Sequence, residues 1–348
     1  MTEHLTLSID AMGGDNAPGM VIEGIEASLA ILSSVNFLLY GDEAQLTPLL
    51  KKHPQVERVS EIRHTTEVVT NEEKVRTALR EGRNSSMRLA IDAVGSGEAA
   101  GVISAGNTGA LMATAKFVLK TLPGIDRPAI AAYFPTERGE SVMLDLGANI
   151  DCDADNLVQF AVMGEVFAHN VLGRKNPSIG ILNVGVEDLK GNDAVRTAAT
   201  MLQESSLPIK YYGFIEGDDI GAGTVDVIVT DGFTGNIALK TAEGTAKMFD
   251  TFLRNAMTSS LMSRFGALLA RGALKKLKMQ VDPRRYNGAM FLGLNGICIK
   301  SHGGTDAVGF ANAIHVAIEL ITNSFNEDIK KDYAQLSEQR ANTKKVIG

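Results

Sequence analysis

Leu5, Leu7 and Ile9 alternate with Thr6 and Ser8, the period-two pattern of a strand, and the pattern stops at Asp10-Ala11-Met12-Gly13-Gly14-Asp15-Asn16-Ala17-Pro18. The same event recurs along the chain. Phe37–Tyr40 and Val59–Thr65 read as strands, with Asp42 placed to cap a helix over Ala44–Lys52 between them. Asn71–Arg80 has the polar character of an exposed helix, and Ser85 opens another that ends near Gly95. Ala99–Ile103, small and β-branched, predicts a short buried strand that breaks at Ser104-Ala105-Gly106-Asn107-Thr108-Gly109 and restarts as a helix over Ala110–Thr121. Pro128–Phe134 and Val142–Leu146 lie close enough for an antiparallel pair, the second ending in Asp145-Leu146-Gly147-Ala148-Asn149. A helix over Asp155–Leu172 leads to a strand at Ile179–Val184, the loop Gly185–Asn192 and a helix to Glu204. Strands at Lys210–Phe214 and Val225–Thr230 precede Asp231-Gly232-Phe233-Thr234-Gly235-Asn236, which opens a further helix. Ile297–Lys300 then runs into Ser301-His302-Gly303-Gly304-Thr305-Asp306 and a helix over Ala307–Asn323.

Strands alternating with helices predict right-handed crossovers, a mainly parallel sheet and an α/β fold. Ligands bind such sheets at the carboxyl ends of the strands, where five or six loops of Gly with Asn, Thr, Ser, Asp or His gather here. Gly106 to Gly109 at a helix start exposes backbone N–H groups suited to an anion, and equally reads as a plain turn capped by Asn107 or Thr108. Gly13-Gly14 admits both a close ligand and a turn with Asp15 or Asn16 capping the next helix. Lys190, after two acids and before Gly191, has the setting of a solvated loop lysine.

Met248 to Lys278 breaks the alternation. Phe249, Phe252, Leu253, Met257, Leu261 and Phe265 recur near helical spacing, and from Arg254 to Arg285 eight basic residues face one acid. That stretch carries about +7 and the remainder about −14, within a formal net charge of −7. Such a stripe suits a core or dimer interface; with its basic face it also suits a helical hairpin on an anionic bilayer. The overall charge argues against general nucleic-acid binding. Cys152 and Cys298 are too few for a disulfide framework or a Cys-rich zinc site, and fit a reducing compartment. The first residues lack the pattern of a signal peptide, and a run of 18 apolar residues is absent, so a cytosolic protein is expected. One domain over 1–335 is expected, with the hairpin at 248–288 and a charged tail at 336–348.

Familiar site motifs fail their context. Gly95-Ser96-Gly97-Glu98-Ala99-Ala100 follows a helix and precedes a strand, the reverse of the dinucleotide fingerprint, and no Gly-Lys dipeptide offers a P-loop. No nucleophile–base pattern is visible. The loops offer backbone N–H groups, Asn and Thr donors, Lys190 and His302, which suit a nucleophile that is already an anion, such as inorganic phosphate.

With these loops assembled, the chain resembles the bacterial phosphate acyltransferases of phospholipid synthesis, the PlsX family. The resemblance rests on IDAMGGDNAP from Ile9, SAGNTGALMA from Ser104, LDLGAN from Leu144, EDLKG from Glu187, TDGFTGNIALK from Thr230 and KSHGG from Lys300. It implies a Rossmann-like three-layer α/β/α sandwich related to phosphotransacetylases, forming a homodimer that seats peripherally on a membrane through a hydrophobic hairpin. It also implies transfer of a long-chain acyl group from acyl-carrier protein (or coenzyme A) to phosphate, without metal or organic cofactor. Lys190, His302, Asn107, Asp231 and Asn236 are then the expected catalytic residues. Phosphate and substrate contacts are expected from Asp10, Gly13, Gly14 and Asp15; from Ser104, Gly106, Thr108 and Gly109; and from Asn149, Thr234 and Gly235. Val186 stands where members of that family often carry an acid.

Overall fold

The computed structural model describes residues 5–331 apart from 33, 206–208 and 281; the tail expected at 336–348 lies outside them. The strands in chain order are β1 (Leu5–Asp10), β2 (Val35–Gly41), β3 (Ser60–His64), β4 (Gly101–Ser104), β5 (Ala129–Thr136), β6 (Gly139–Leu144), β7 (Ser178–Leu182), β8 (Lys210–Ile215), β9 (Val227–Val229), β10 (Ala289–Leu292) and β11 (Ile297–Lys300). They join in one sheet of order β3-β2-β1-β4-β11-β10-β5-β6-β9-β7-β8. Helices cover both faces, as the alternation predicts. One face packs on the 19–29, 154–172 and 307–322 helices, the other on the 86–95 and 108–119 helices.

Three antiparallel pairings, β11–β10, β10–β5 and β5–β6, lie at the centre. They reverse the direction of everything beyond, so β6, β9, β7 and β8 run against β1, β2, β3, β4 and β11. The order also reads alike from both sides, β2-β1-β4-β11-β10 against β8-β7-β9-β6-β5, with β3 as an extra edge. Ser104-Ala105-Gly106-Asn107-Thr108-Gly109 after β4 and Thr230-Asp231-Gly232-Phe233-Thr234-Gly235 after β9 occupy corresponding places and share the pattern Ser/Thr-x-Gly-x-Thr-Gly.

A single register row crosses the sheet: Ile9, Ile103, Ile299, Met290, Ala131, Leu144, Val229 and Ile181 stand side by side. All are buried on one face. Each large apolar side chain there stabilises the fold by about 1.5–3 kcal/mol relative to exposure, and a one-residue slip would turn the row to the other face. β1, β4 and β11 end one residue beyond this row from one direction; β6 and β9 end on it, and β7 one residue beyond, from the other. Carboxyl ends of both halves therefore converge along the middle of the sheet.

Several elements differ from the sequence expectation. The helix expected over Asn71–Arg80 is confined to Val75–Glu81, because Asn71 turns to donate to Asp15 Oδ1 at 2.8 Å. A short helix at Gly217–Ala222 and strand β10 stand where no element is expected. The Met248–Lys278 stretch does not begin a hairpin of its own: it continues a 27-residue helix, Gly232–Thr258, that starts at the β9 loop. Leu261–Leu269 and Arg271–Gln280 follow, before a 3-10 turn at Pro283–Tyr286. Among the described residues no helix is long and apolar enough to cross a membrane.

Candidate active site

The β1 loop is a spacer between its neighbours. Asp10 is buried and accepts from Ser86 Oγ and Ser104 Oγ, each at 2.6 Å. Burial pushes its pKa up, and those two hydroxyls oppose the rise. A Cβ on Gly13 would overlap the Asp10 carboxylate and lie 2.8 Å from Gly106 N, and Gly14 sits at φ +105° against Ala105. Asp15 N donates to Gly303 O at 2.9 Å and Asn16 Nδ2 to Thr305 O at 3.0 Å. Neither Asp15 nor Asn16 caps the following helix; Pro18 holds that position.

Asn107 caps the 108–119 helix, accepting from Ala110 N at 3.0 Å. Its Nδ2 is spread over the carbonyls of Asn71 (2.9 Å), Glu73 (3.2 Å) and Thr70 (3.4 Å). Both ends of the amide are thus engaged, the oxygen in capping the helix and the nitrogen in holding the 70–73 segment. Ser104 Oγ, besides donating to Asp10, accepts from Gly106 N at 3.0 Å. What this helix start leaves open is the backbone N–H of Thr108 and of Gly109, with no partner among the described residues, and the exposed Thr108 hydroxyl.

The other half presents Asp145 in the place of a buried organiser. Its Oδ1 accepts from the N–H groups of Ile130 (2.9 Å), Ala148 (3.0 Å) and Gly147 (3.2 Å). Its Oδ2 accepts from Asn149 N and Nδ2 at 2.7 and 2.9 Å. Burial raises its pKa against these donors. Asn149 also donates to Pro128 O at 2.8 Å, so its amide belongs to the loop. Asp231 caps the 232–258 helix and accepts from Thr234 N and Thr234 Oγ1, both at 2.8 Å. Gly235 is demanded by contact, since a Cβ there would overlap the Asp145 carbonyl. The next residue, Asn236, is exposed beside Gly147, its amide without a side-chain partner among the described residues.

These two helix starts face each other across a cleft of about 300 Å³ lined by Thr108, Gly109 and Met112 from one half and Ile130, Leu146, Gly147 and Asn236 from the other. A smaller hollow between Glu67 and Gly82 is lined by Glu67, Glu73 and Glu81 and would repel an anion.

His302 is exposed on the β11 loop, its main-chain N–H donating to Asn287 Oδ1 at 2.8 Å. Its Nδ1 faces Gly304 N–H at 3.2 Å, which assigns the proton to Nε2 and makes that nitrogen a donor. Partial burial depresses the ring's pKa, and Lys300 and Lys240 depress it further against Glu243. Lys240, Glu243 and Lys247 belong to the 232–258 helix, so His302 lies within the electrostatic reach of that helix. Lys190 is exposed on the β7 loop and outside the lining of the cleft. Its N–H donates to Glu187 O at 2.9 Å and its carbonyl accepts from Asn183 Nδ2 at 3.1 Å.

Sequence reasoning passed over two residues of this region. Lys300 is partly buried at the end of an otherwise apolar strand, a placement that is itself a signal in Ile297-Cys298-Ile299-Lys300. Asn287 is buried and joins Ser301 Oγ (2.8 Å), Gly309 O (2.7 Å) and His302 N; nothing in its flanking sequence marks it.

Residues 5–328 match the family described as fatty acid synthesis protein. A phosphate acyltransferase of Paramagnetospirillum magneticum is 61% identical over 97% of this chain and 96% of its own length. One of Rhodospirillum centenum is 62% identical over 97% and 95%. The chain belongs to this family of acyltransferases. Its fold is shared with a phosphotransacetylase of Streptococcus pyogenes, at a TM-score of 0.62 and 17% identity over 92% of this chain and 95% of that one.

Proposed function

We propose that the protein transfers a long-chain acyl group from acyl-carrier protein to inorganic phosphate. A phosphate oxygen attacks the thioester carbonyl, the C–S bond breaks, and acyl phosphate and the carrier thiol leave. The observation that carries this reading is the character of the cleft: it presents the Thr108 and Gly109 N–H groups and the Asn236 amide, while Asp10 and Asp145 are buried and saturated by donors. Such a site positions an anion that needs no general base and stabilises the oxyanion that forms at the carbonyl. His302, neutral with its proton on Nε2, suits donation to that oxygen or to the departing sulfur. Asp231 is engaged as a cap, which favours an organising role over a basic one. Lys190, exposed on the β7 loop, supplies a cation for the phosphate or the carrier thioester.

The arm that leaves the cleft supports the choice of a long chain. Phe249, Phe252, Leu261 and Phe265 are each more than half exposed, Leu253 and Met257 are partly exposed, and Arg254, Arg264 and Arg271 stand among them. Apolar faces with basic neighbours suit a peripheral seat on an anionic bilayer, where an acyl phosphate would be delivered, and pairing of two copies.

Thiol release from palmitoyl-carrier protein, with and without phosphate, tests the reaction. Phosphate-dependent release with a hydroxylamine-reactive product is expected. Release from acetyl-coenzyme A but not from the carrier would replace this reading with short-chain transfer, to which the fold alone lends support. Silence with both would leave a carrier- or lipid-binding scaffold.

A further inference from the structure

The charged group that this reaction scheme leaves unused is Lys300. Its Nζ donates to the Ala105 carbonyl at 3.3 Å and to the Ser301 carbonyl. Those carbonyls belong to the β4 and β11 loops, which carry the Thr108 and Gly109 amides and His302. The ammonium thus ties together the two segments that furnish donors from this half of the sheet. Asp10 and Asp15 face it from the β1 segment, Cys298 from its own strand, and His302 from the loop beyond. No carboxylate of the described residues stands within 4.0 Å of it, so its charge is not cancelled by a contact ion pair. That charge reaches the open side: after partial burial, Lys300 is the strongest influence keeping protons off the His302 ring.

We propose, resting on the acyl-transfer reading above, that Lys300 is a positioning residue and the partly buried cation of the phosphate site. It sets the β4 loop for a tetrahedral anion and keeps His302 neutral, so that the ring serves as a donor through Nε2. A charge in this little-solvated place acts over a longer range than one in water, and it adds to the field of the 108–119 helix start. Burial lowers the pKa of Lys300 to about 8, with Asp10 and Asp15 opposing, so the group is charged at neutral pH and discharges just above it.

Two readouts on the full chain require no turnover. One is calorimetric binding of inorganic phosphate at pH 7; the other is the proton-NMR titration of the His302 ring, assigned by its loss in His302→Gln. Lys300→Met is expected to weaken phosphate binding about tenfold or more and to move the His302 midpoint upward. Phosphate affinity within about twofold of the wild type, or an unmoved His302 midpoint, overturns the assignment. Should Lys300→Met fail to fold, the wild type suffices with sulfate, which stays a dianion throughout. Its binding should weaken about tenfold between pH 7 and pH 9 as the ammonium discharges, and a flat profile overturns the assignment. Intact phosphate binding with a Lys300-dependent His302, but no acyl transfer, would sink the acyl-transfer reading and leave Lys300 in place.

Discussion

Asn236 brings an amide to the cleft without a partner to lose, so its removal should touch chemistry and not folding. Asn236→Ala is expected to lower kcat by about 100-fold, the usual effect of deleting one oxyanion donor, with an unchanged melting temperature. A melting temperature that falls with the activity would reassign the side chain to the scaffold. His302 makes a prediction in pH. Its folded pKa is depressed below the ordinary 6.5, so between the two values the unfolded chain binds the extra proton. Stability contributed by the neutral ring is therefore present above pH 6.5 and lost as the pH falls through that window. Denaturant titrations of His302→Gln across pH 5–7 should show a flatter acid limb than the wild type. Both residues stand in legible motifs, since a Gly-rich loop at a strand end announces itself in the chain. What the motif did not disclose is which side chains are already committed. Asn107 reads as a free donor, yet its amide is engaged by carbonyls 34–37 residues away, and no local pattern encodes that contact.

Gly235 shows why glycine recurs in these helix starts. The first turn of the 232–258 helix rests on the Asp145 carbonyl, and a methyl group there has no space. Gly235→Ala should cost about 1–3 kcal/mol by denaturant melting and open the cleft from the Asn236 side. The arm at the far end of that helix obeys different rules. Replacing Phe249, Phe252 and Phe265 together by Ser should abolish flotation with phosphatidylglycerol vesicles, while leaving the fold intact because none of the three is buried. Undiminished flotation would assign the apolar face to another occupant. Strands with period-two or continuous apolar runs were readable to within a few residues. β10 was not, because Ala289–Leu292 is four residues between the arm and a turn, too short for periodicity to speak. The arm's composition was legible, but its continuity with the active-site helix was not, since Gly244 and the polar residues between Lys240 and Lys247 mask an unbroken helix.

The two halves of the sheet repeat one plan in opposite directions, and this governs what kind of site can exist. In an ordinary parallel sheet all strand ends share one edge, which is what the alternation of the sequence predicts. Here the antiparallel pairings through β10 and β5 bring two such edges together at a common row, so the cleft is walled by helix starts from both. The repeated Ser/Thr-x-Gly-x-Thr-Gly is present in the chain, yet only six positions long, and the reversal depends on pairings between segments far apart in sequence.

One consequence concerns birth of the protein on the ribosome. β4 ends at Ser104, but its sheet neighbour β11 begins at Ile297, supplies Lys300 and leads into the loop of His302. A strand at the heart of the amino-terminal half is therefore synthesised long after its neighbour. Until it emerges, β4 presents an unpaired edge to solvent or to whatever chaperone attends the nascent chain. Assembly of the candidate site is thus deferred until β11 has emerged, and a chain cut short before Ile297 would be held in waiting with the β4 edge uncovered.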